Sequence, residues 1–239
     1  MSYSKFKGKA AFKEVFSVDS PVREIGAYPD EALNMILPSE HLFKSLKPML
    51  EKMLGGSLDD KKVVLIPNGG LDQARADMSY VYLQEFTTIN NMYLKQLDLE
   101  KWPKEILLHS LETCDVICMS GGLVSRLLYA IDKAGIRENL VEIIKKGKPF
   151  VGFSAGAMCV SSTTHWAAHF IGESDPQVMN FSPLGLVNFE VYPHFEDNLL
   201  PAVEKLLPKG VKGFALRPED AVVITKGKLY FAGNPVEIN

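Results

Sequence analysis

The chain has little cysteine and tryptophan, no surplus of positive charge and no long hydrophobic run. Its 239 residues include three cysteines and two tryptophans. Three cysteines cannot all pair, and Cys114 and Cys118 stand in an apolar segment. A disulfide scaffold is therefore excluded, and a reducing, cytoplasmic location is expected. Lys and Arg number 26 against 29 Asp and Glu, a formal net charge of −3. A dedicated nucleic-acid binder needs a basic surplus to neutralise phosphates, and this chain has none. No apolar stretch approaches the roughly 18 residues of a membrane span. The opening residues, Met1 to Lys7, carry charges without a following apolar stretch, so no secretory signal is expected. What is present is ordinary globular composition, 46% hydrophobic and 23% charged, enough to bury a core without disulfides or metals. One α/β domain spanning residues 1–239 is the expectation at this length.

Along the chain there is no internal repeat and no low-complexity tract. Residues 1–40 resist assignment. Phe12 to Val18 alternates like a strand, but Pro21, Pro29 and Pro38 interrupt any long element. Leu42, Leu46, Met49, Leu50 and Met53 fall at helical spacing up to Gly55-Gly56. Val63 to Ile66 reads as a buried strand, and a helix-like stretch follows over Ala74–Phe86. Asp115 to Met119 is a second apolar strand, closed by Ser120-Gly121-Gly122. Val124, Leu127, Leu128 and Ile131 then mark an amphipathic helix. A further helix around Leu140 to Ile144 ends near Gly147. Pro149 to Phe153 is strand-like, and Ala221 to Phe231, broken at Lys226-Gly227, predicts a hairpin. Short apolar strands alternating with helices imply a mostly parallel sheet covered on both faces, with a C-terminal antiparallel addition.

The strongest local signal is Gly152-Phe153-Ser154-Ala155-Gly156, a G-x-S-x-G match between a strand and a run of small residues. That context is what a nucleophile elbow requires. Small neighbours leave room for a strained backbone that projects the serine hydroxyl at the carboxyl end of the sheet. The Ala155 N–H would face a developing oxyanion. A plain packing turn is the alternative. Serine needs a base, and five histidines are available: His41, His109, His165, His169 and His194. The first two sit in lysine-bordered, helix-like stretches and are read as surface residues. His165 and His169 share an i, i+4 face, but no zincin-type carboxylate accompanies them. His194, in Pro193-His194-Phe195 after the strand-like Phe189 to Tyr192, is the candidate base. Carboxylates to orient it follow the elbow in several places, among them Asp175 and Glu219, and spacing does not choose between them.

Gly152-Phe153-Ser154-Ala155-Gly156-Ala157, with Pro193-His194-Phe195 and Pro218-Glu219 downstream, resembles peptidase E, the aspartyl dipeptidases related to cyanophycinase. The likeness runs from about Val63 to Gly233. It includes Ile66-Pro67 and Gly70-Leu71-Asp72-Gln73, then Gly121-Gly122 and the hairpin before Ala232-Gly233. The resemblance implies a flavodoxin-like three-layer sandwich of the class I glutamine amidotransferase superfamily, with serine in place of cysteine. It implies a serine peptidase that removes N-terminal aspartate from dipeptides or short peptides. Carried over by position, Ser154 is the nucleophile, His194 the base and Glu219 the acid, with Asp175 as the second candidate. The N–H groups of Gly122 and Ala155 form the implied oxyanion hole.

Two departures stand out. The family's G-G-G-N-T turn reads Ser120-Gly121-Gly122-Leu123-Val124 here, and residues 1–40 do not match the family's short opening strand. Aspartate recognition calls for an arginine, and Arg75, Arg126 and Arg217 are the candidates near strand ends. No metal or phosphate-binding motif stands out, and no cofactor is expected. The expected partner is a small peptide, with no nucleic acid or membrane, and a homo-oligomer is compatible with the sequence. Two other readings remain: an α/β-hydrolase esterase or thioesterase using Asp175 before His194, and a non-catalytic member that binds a ligand.

Overall fold

A computed structural model describes residues 20–70, 73–171 and 174–239, with the backbone alone for 73–79. Its main sheet has eight strands. In chain order these are β1 (Val22–Ala27), β2 (Met35–Pro38), β3 (Lys62–Ile66), β4 (Tyr93–Gln96), β5 (Val116–Met119), β6 (Phe150–Gly152), β9 (Ala221–Thr225) and β10 (Lys228–Ala232). They lie in the order β1-β10-β9-β2-β6-β5-β3-β4. From β2 to β4 every pairing is parallel, whereas β9, β10 and β1 add antiparallel at the β2 side. A second sheet joins β11 (Val236–Ile238), β8 (Lys212–Ala215) and β7 (Phe189–Tyr192).

The parallel strands are short apolar runs because both of their faces are covered. Along β3, Val63 and Leu65 point into one core, while Val64 and Ile66 point into the other, as the two-residue pleat demands. The first core is closed by α1 (Lys47–Leu54) and α2 (Gln73–Ile89), through Met49, Leu50, Leu83 and Phe86. The second takes α3 (Lys104–Thr113), α4 (Val124–Ala134), α5 (Arg137–Lys145) and α6 (Ala155–Cys159). It also takes α7 (His165–Ala168), α8 (Leu200–Leu206) and the small sheet. This is the flavodoxin-like three-layer arrangement: β4-β3-β5-β6 reproduces the 2-1-3-4 order, with β2 next to β6.

The two-residue turn of the hairpin, Lys226-Gly227, has φ of 51° and 67°, the left-handed pair that suits strand twist. Gly55 and Gly135 end α1 and α4 in the same conformation. The strand-like Phe12–Val18 lies outside the described residues. Within residues 1–40, where the sequence assigns no element securely, the structure places β1 and β2. Met35–Pro38 is an interior strand, fully buried, paired with β6 on one side and β9 on the other. No helix among the described residues is long and apolar enough to cross a membrane.

Candidate active site

At Ser154 the chain turns tightly from β6 into α6. Ser154 has φ 47° and ψ −108°, a region that costs a side-chain-bearing residue energy and is held only by its surroundings. Those surroundings are tight. A Cβ on Gly152 would lie 2.6 Å from the Gly156 carbonyl oxygen, and one on Gly156 would lie 2.5 Å from that of Met119. Both glycines are thus needed for close passage of the backbone. The Ser154 N–H donates to the Pro38 carbonyl at 3.4 Å, which ties the elbow to the end of β2.

His194 follows β7 and also has positive φ, 54°, a conformation histidine tolerates better than most residues. Its N–H donates to the Ser39 hydroxyl at 2.8 Å, and that hydroxyl donates to the Leu216 carbonyl at 3.2 Å. Ser39 is fully buried. The imidazole Nε2 lies 2.8 Å from Ser154 Oγ, and Nδ1 lies 3.1 Å from Glu40 Oε1. A carboxylate only accepts, so Glu40 places the imidazole proton on Nδ1 and leaves Nε2 to accept the Ser154 hydroxyl. The hydrogen bond from His194 holds the Glu40 carboxyl below its ordinary range, against the opposing effect of partial burial.

The structure therefore brings Ser154 and His194 together but not Glu219. Glu219 makes no hydrogen bond to His194 among the described residues. The carboxylate on Nδ1 is Glu40, delivered by β2, the neighbour of β6. Asp175 is not on the histidine either; its carboxylate accepts the Ser125 N–H at 2.8 Å, in the first turn of α4. That removes the acid the esterase order would have used. Sequence reasoning missed Ser39 and Glu40. The available signal was their position directly after a buried apolar run, at the carboxyl end of a strand, where open α/β sheets hold ligands.

The other histidines divide differently than expected. His41 is buried, not on the surface, packed against Tyr82 and Phe43. Burial pushes its pKa down, and neither ring nitrogen has a hydrogen-bond partner among the described residues. His109 is exposed on α3. The rings of His165 and His169 lie with centroids 4.8 Å apart, tilted by 32°, and no group of three or more His, Cys, Asp or Glu that could hold a metal occurs among the described residues.

Gly122 has φ 114°, and a Cβ there would meet the Gly69 carbonyl oxygen at 2.1 Å. The turns after β3 and β5 thus touch at the point where the strand order reverses. Gly122 and Ser154 share a cavity of about 370 Å³ with Glu40, Phe170, Asp175 and His194, within the range of small-molecule sites. Ala155, buried behind it, is the first residue of α6. Arg126 is paired with Glu100. Arg217 is paired with Asp197 and Asp220. The Arg75 side chain lies outside the described residues.

The model of peptidase family S51 matches residues 35–231. The chain belongs to this family. The match begins at β2, earlier than Val63, and so takes in Ser39 and Glu40. A curated relative from Pasteurella multocida, an uncharacterized peptidase, is 23% identical over 188 residues, 75% of this chain and 88% of its own length. Peptidase E of Escherichia coli is 24% identical over 180 residues, 75% of this chain and 70% of its own. Peptidase E of Streptomyces coelicolor reaches 33% over a shorter stretch of 87 residues, 36% of this chain and 35% of its own. Among solved structures, a Listeria monocytogenes protein assigned to peptidase E superposes with a TM-score of 0.64 at 20% identity. That superposition covers 86% of this chain and 97% of the other. A peptidase from an acI-B1 actinobacterium gives 0.63 at 15%, covering 89% and 96%. The family carries peptidase activity, and the solved structures share the fold.

Proposed function

We propose that the chain is a serine-type peptidase acting on dipeptides or short peptides through a Ser154–His194–Glu40 relay. The observation that carries this is the unbroken chain of contacts from Ser154 Oγ to His194 Nε2 at 2.8 Å and from Nδ1 to Glu40 at 3.1 Å, opening on one cleft. In this reading Ser154 Oγ attacks the scissile carbonyl carbon while His194 Nε2 takes the hydroxyl proton. The N–H groups of Gly122 and Ala155 stabilise the oxyanion. As the tetrahedral adduct collapses, the C–N bond breaks and His194 returns the proton to the leaving amine. A water then repeats the sequence on the ester and frees Ser154. Glu40 keeps the imidazole oriented and stabilises its protonated form.

The size of the cleft supports a short substrate. The aspartate preference implied by the resemblance lacks support from the described cleft, whose lining contains no lysine or arginine. The three cysteines are free and buried, which supports a reducing compartment such as the cytoplasm. The test is hydrolysis of a dipeptide panel by the parent and by Ser154→Ala, with fluorophosphonate labelling of the parent mapped by mass spectrometry. Activity abolished in the variant and a label on Ser154 are expected. An undiminished variant sinks the assignment.

A further inference from the structure

The described part of the cleft carries charge of one sign. Glu40 and Asp175 are its acids, and no lysine or arginine lines it. Much of the remaining wall is apolar, built from Leu123, Val124, Met158 and Phe170.

The two acids differ in what they are free to do. Glu40 is engaged by His194. Asp175 is only 6% exposed, and one of its oxygens accepts the Ser125 N–H. That N–H belongs to the first turn of an eleven-residue helix, where the dipole favours an anion. The other oxygen has no hydrogen-bond partner among the described residues, and Asp175 lines the cleft. A buried carboxylate with a spare acceptor site is complementary to an ammonium group. In a dipeptide, or wherever the first residue of a peptide is removed, the residue whose carbonyl is attacked carries such a group.

We propose that Asp175 anchors the substrate's N-terminal ammonium and that the cleft selects peptides whose first side chain is apolar and uncharged, rejecting aspartate and glutamate. An acidic first side chain would bring a third carboxylate into a partly desolvated space beside two others, with no guanidinium among the described lining residues to pair it. An apolar side chain instead gains from burial against Leu123, Met158 and Phe170. This inference rests on reading Ser154 as the nucleophile of that cleft.

Binding can be measured apart from turnover by using Ser154→Ala as the receptor. Titration calorimetry with Leu-Leu, Asp-Leu and N-acetyl-Leu-Leu should show Leu-Leu binding about tenfold or more tightly than either of the others. Adding Asp175→Asn, which keeps an oxygen for the Ser125 N–H, should weaken Leu-Leu about tenfold and change the acetylated peptide less than about threefold. Asp-Leu binding as tightly as Leu-Leu, or no Leu-Leu binding at millimolar concentration, overturns the selection. Equal losses on free and blocked peptides overturn the anchor and leave Asp175 as a helix cap. A parent labelled at Ser154 that prefers Asp-Leu refutes this inference while the proposed catalysis stands. An unlabelled, inactive parent whose Ser154→Ala form still prefers Leu-Leu refutes the catalysis alone.

Discussion

Glu40→Gln and Glu219→Gln, compared side by side, decide which carboxylate serves His194. Glu40 accepts from Nδ1 at 3.1 Å, with the two side chains 34% and 42% exposed. A charge-assisted hydrogen bond is worth roughly 1.5–3 kcal/mol, and solvent access puts this one in the lower half, about 2 kcal/mol. At about 1.4 kcal/mol per tenfold, that is a loss of about 30-fold in kcat/KM. The amide adds to the loss, because its NH₂ group can donate to Nδ1 and favour the wrong tautomer; a fully buried triad acid costs up to ~10⁴ when so replaced. Glu219 shares no hydrogen bond with the histidine, so Glu219→Gln should stay within about twofold of the parent. The assay is initial-rate hydrolysis of a cleaved dipeptide by parent, Ser154→Ala and both variants, with melting curves to confirm folding. A 30-fold loss in Glu219→Gln beside an unaffected Glu40→Gln would refute the reasoning and return the acid to the position that the resemblance implied.

Other perturbations follow from the same geometry. Ser154→Gly relieves the positive φ of the elbow, so urea denaturation should find it about 1–2 kcal/mol more stable than Ser154→Ala, with neither active; equal stabilities would mean the elbow holds no strain. Gly122→Ala places a Cβ 2.1 Å from the Gly69 carbonyl oxygen, and a loss of about 2 kcal/mol or more, with activity reduced, is expected. An unchanged melting temperature and rate would show that the two turns can part freely. Glu190 is buried on β7, and burial pushes its carboxyl from 4.5 up to about 7, against hydrogen bonds from the N–H groups of Trp166 and His165. Between those values the folded chain holds a proton the unfolded chain has lost, so stability falls as pH rises through that window and levels off above it. The gap is worth about 3 kcal/mol. The melting temperature of Glu190→Gln should therefore gain several degrees on the parent between pH 5 and pH 8. A pH-independent difference would show that Glu190 titrates normally.

The tight turn at Ser154 and the strand-end place of His194 were legible because their signals are local: an apolar run, a glycine-flanked serine, a histidine after a strand. The parallel strands β3, β5 and β6 and the hairpin were legible for the same reason. Glu40 was not. It is one acidic residue after a four-residue strand in a proline-interrupted stretch, and only the adjacency of β2 and β6 makes it special. Adjacency is a property of topology, with no trace in spacing. β8 was hidden by Gly213, which breaks the apolar run because a Cβ there would meet the Trp166 ring at 2.1 Å. Asp175, offered by the sequence as a candidate acid for the histidine, is buried instead by the packing of its loop against α4.

The proposed relay would also tie activity to the order in which the chain assembles. Its two hydrogen bonds join residues 40 and 154 positions apart in sequence, and they draw on β2, β6 and β7 from two different sheets. Contacts of such separation form late, after much loop entropy has been spent. A nascent or partly folded chain would hold the Gly-x-Ser-x-Gly turn without the base and acid that arm it. Recovery of hydrolysis during refolding should then trail the recovery of helical signal, and peptide cleavage would report completion of the tertiary structure as a whole.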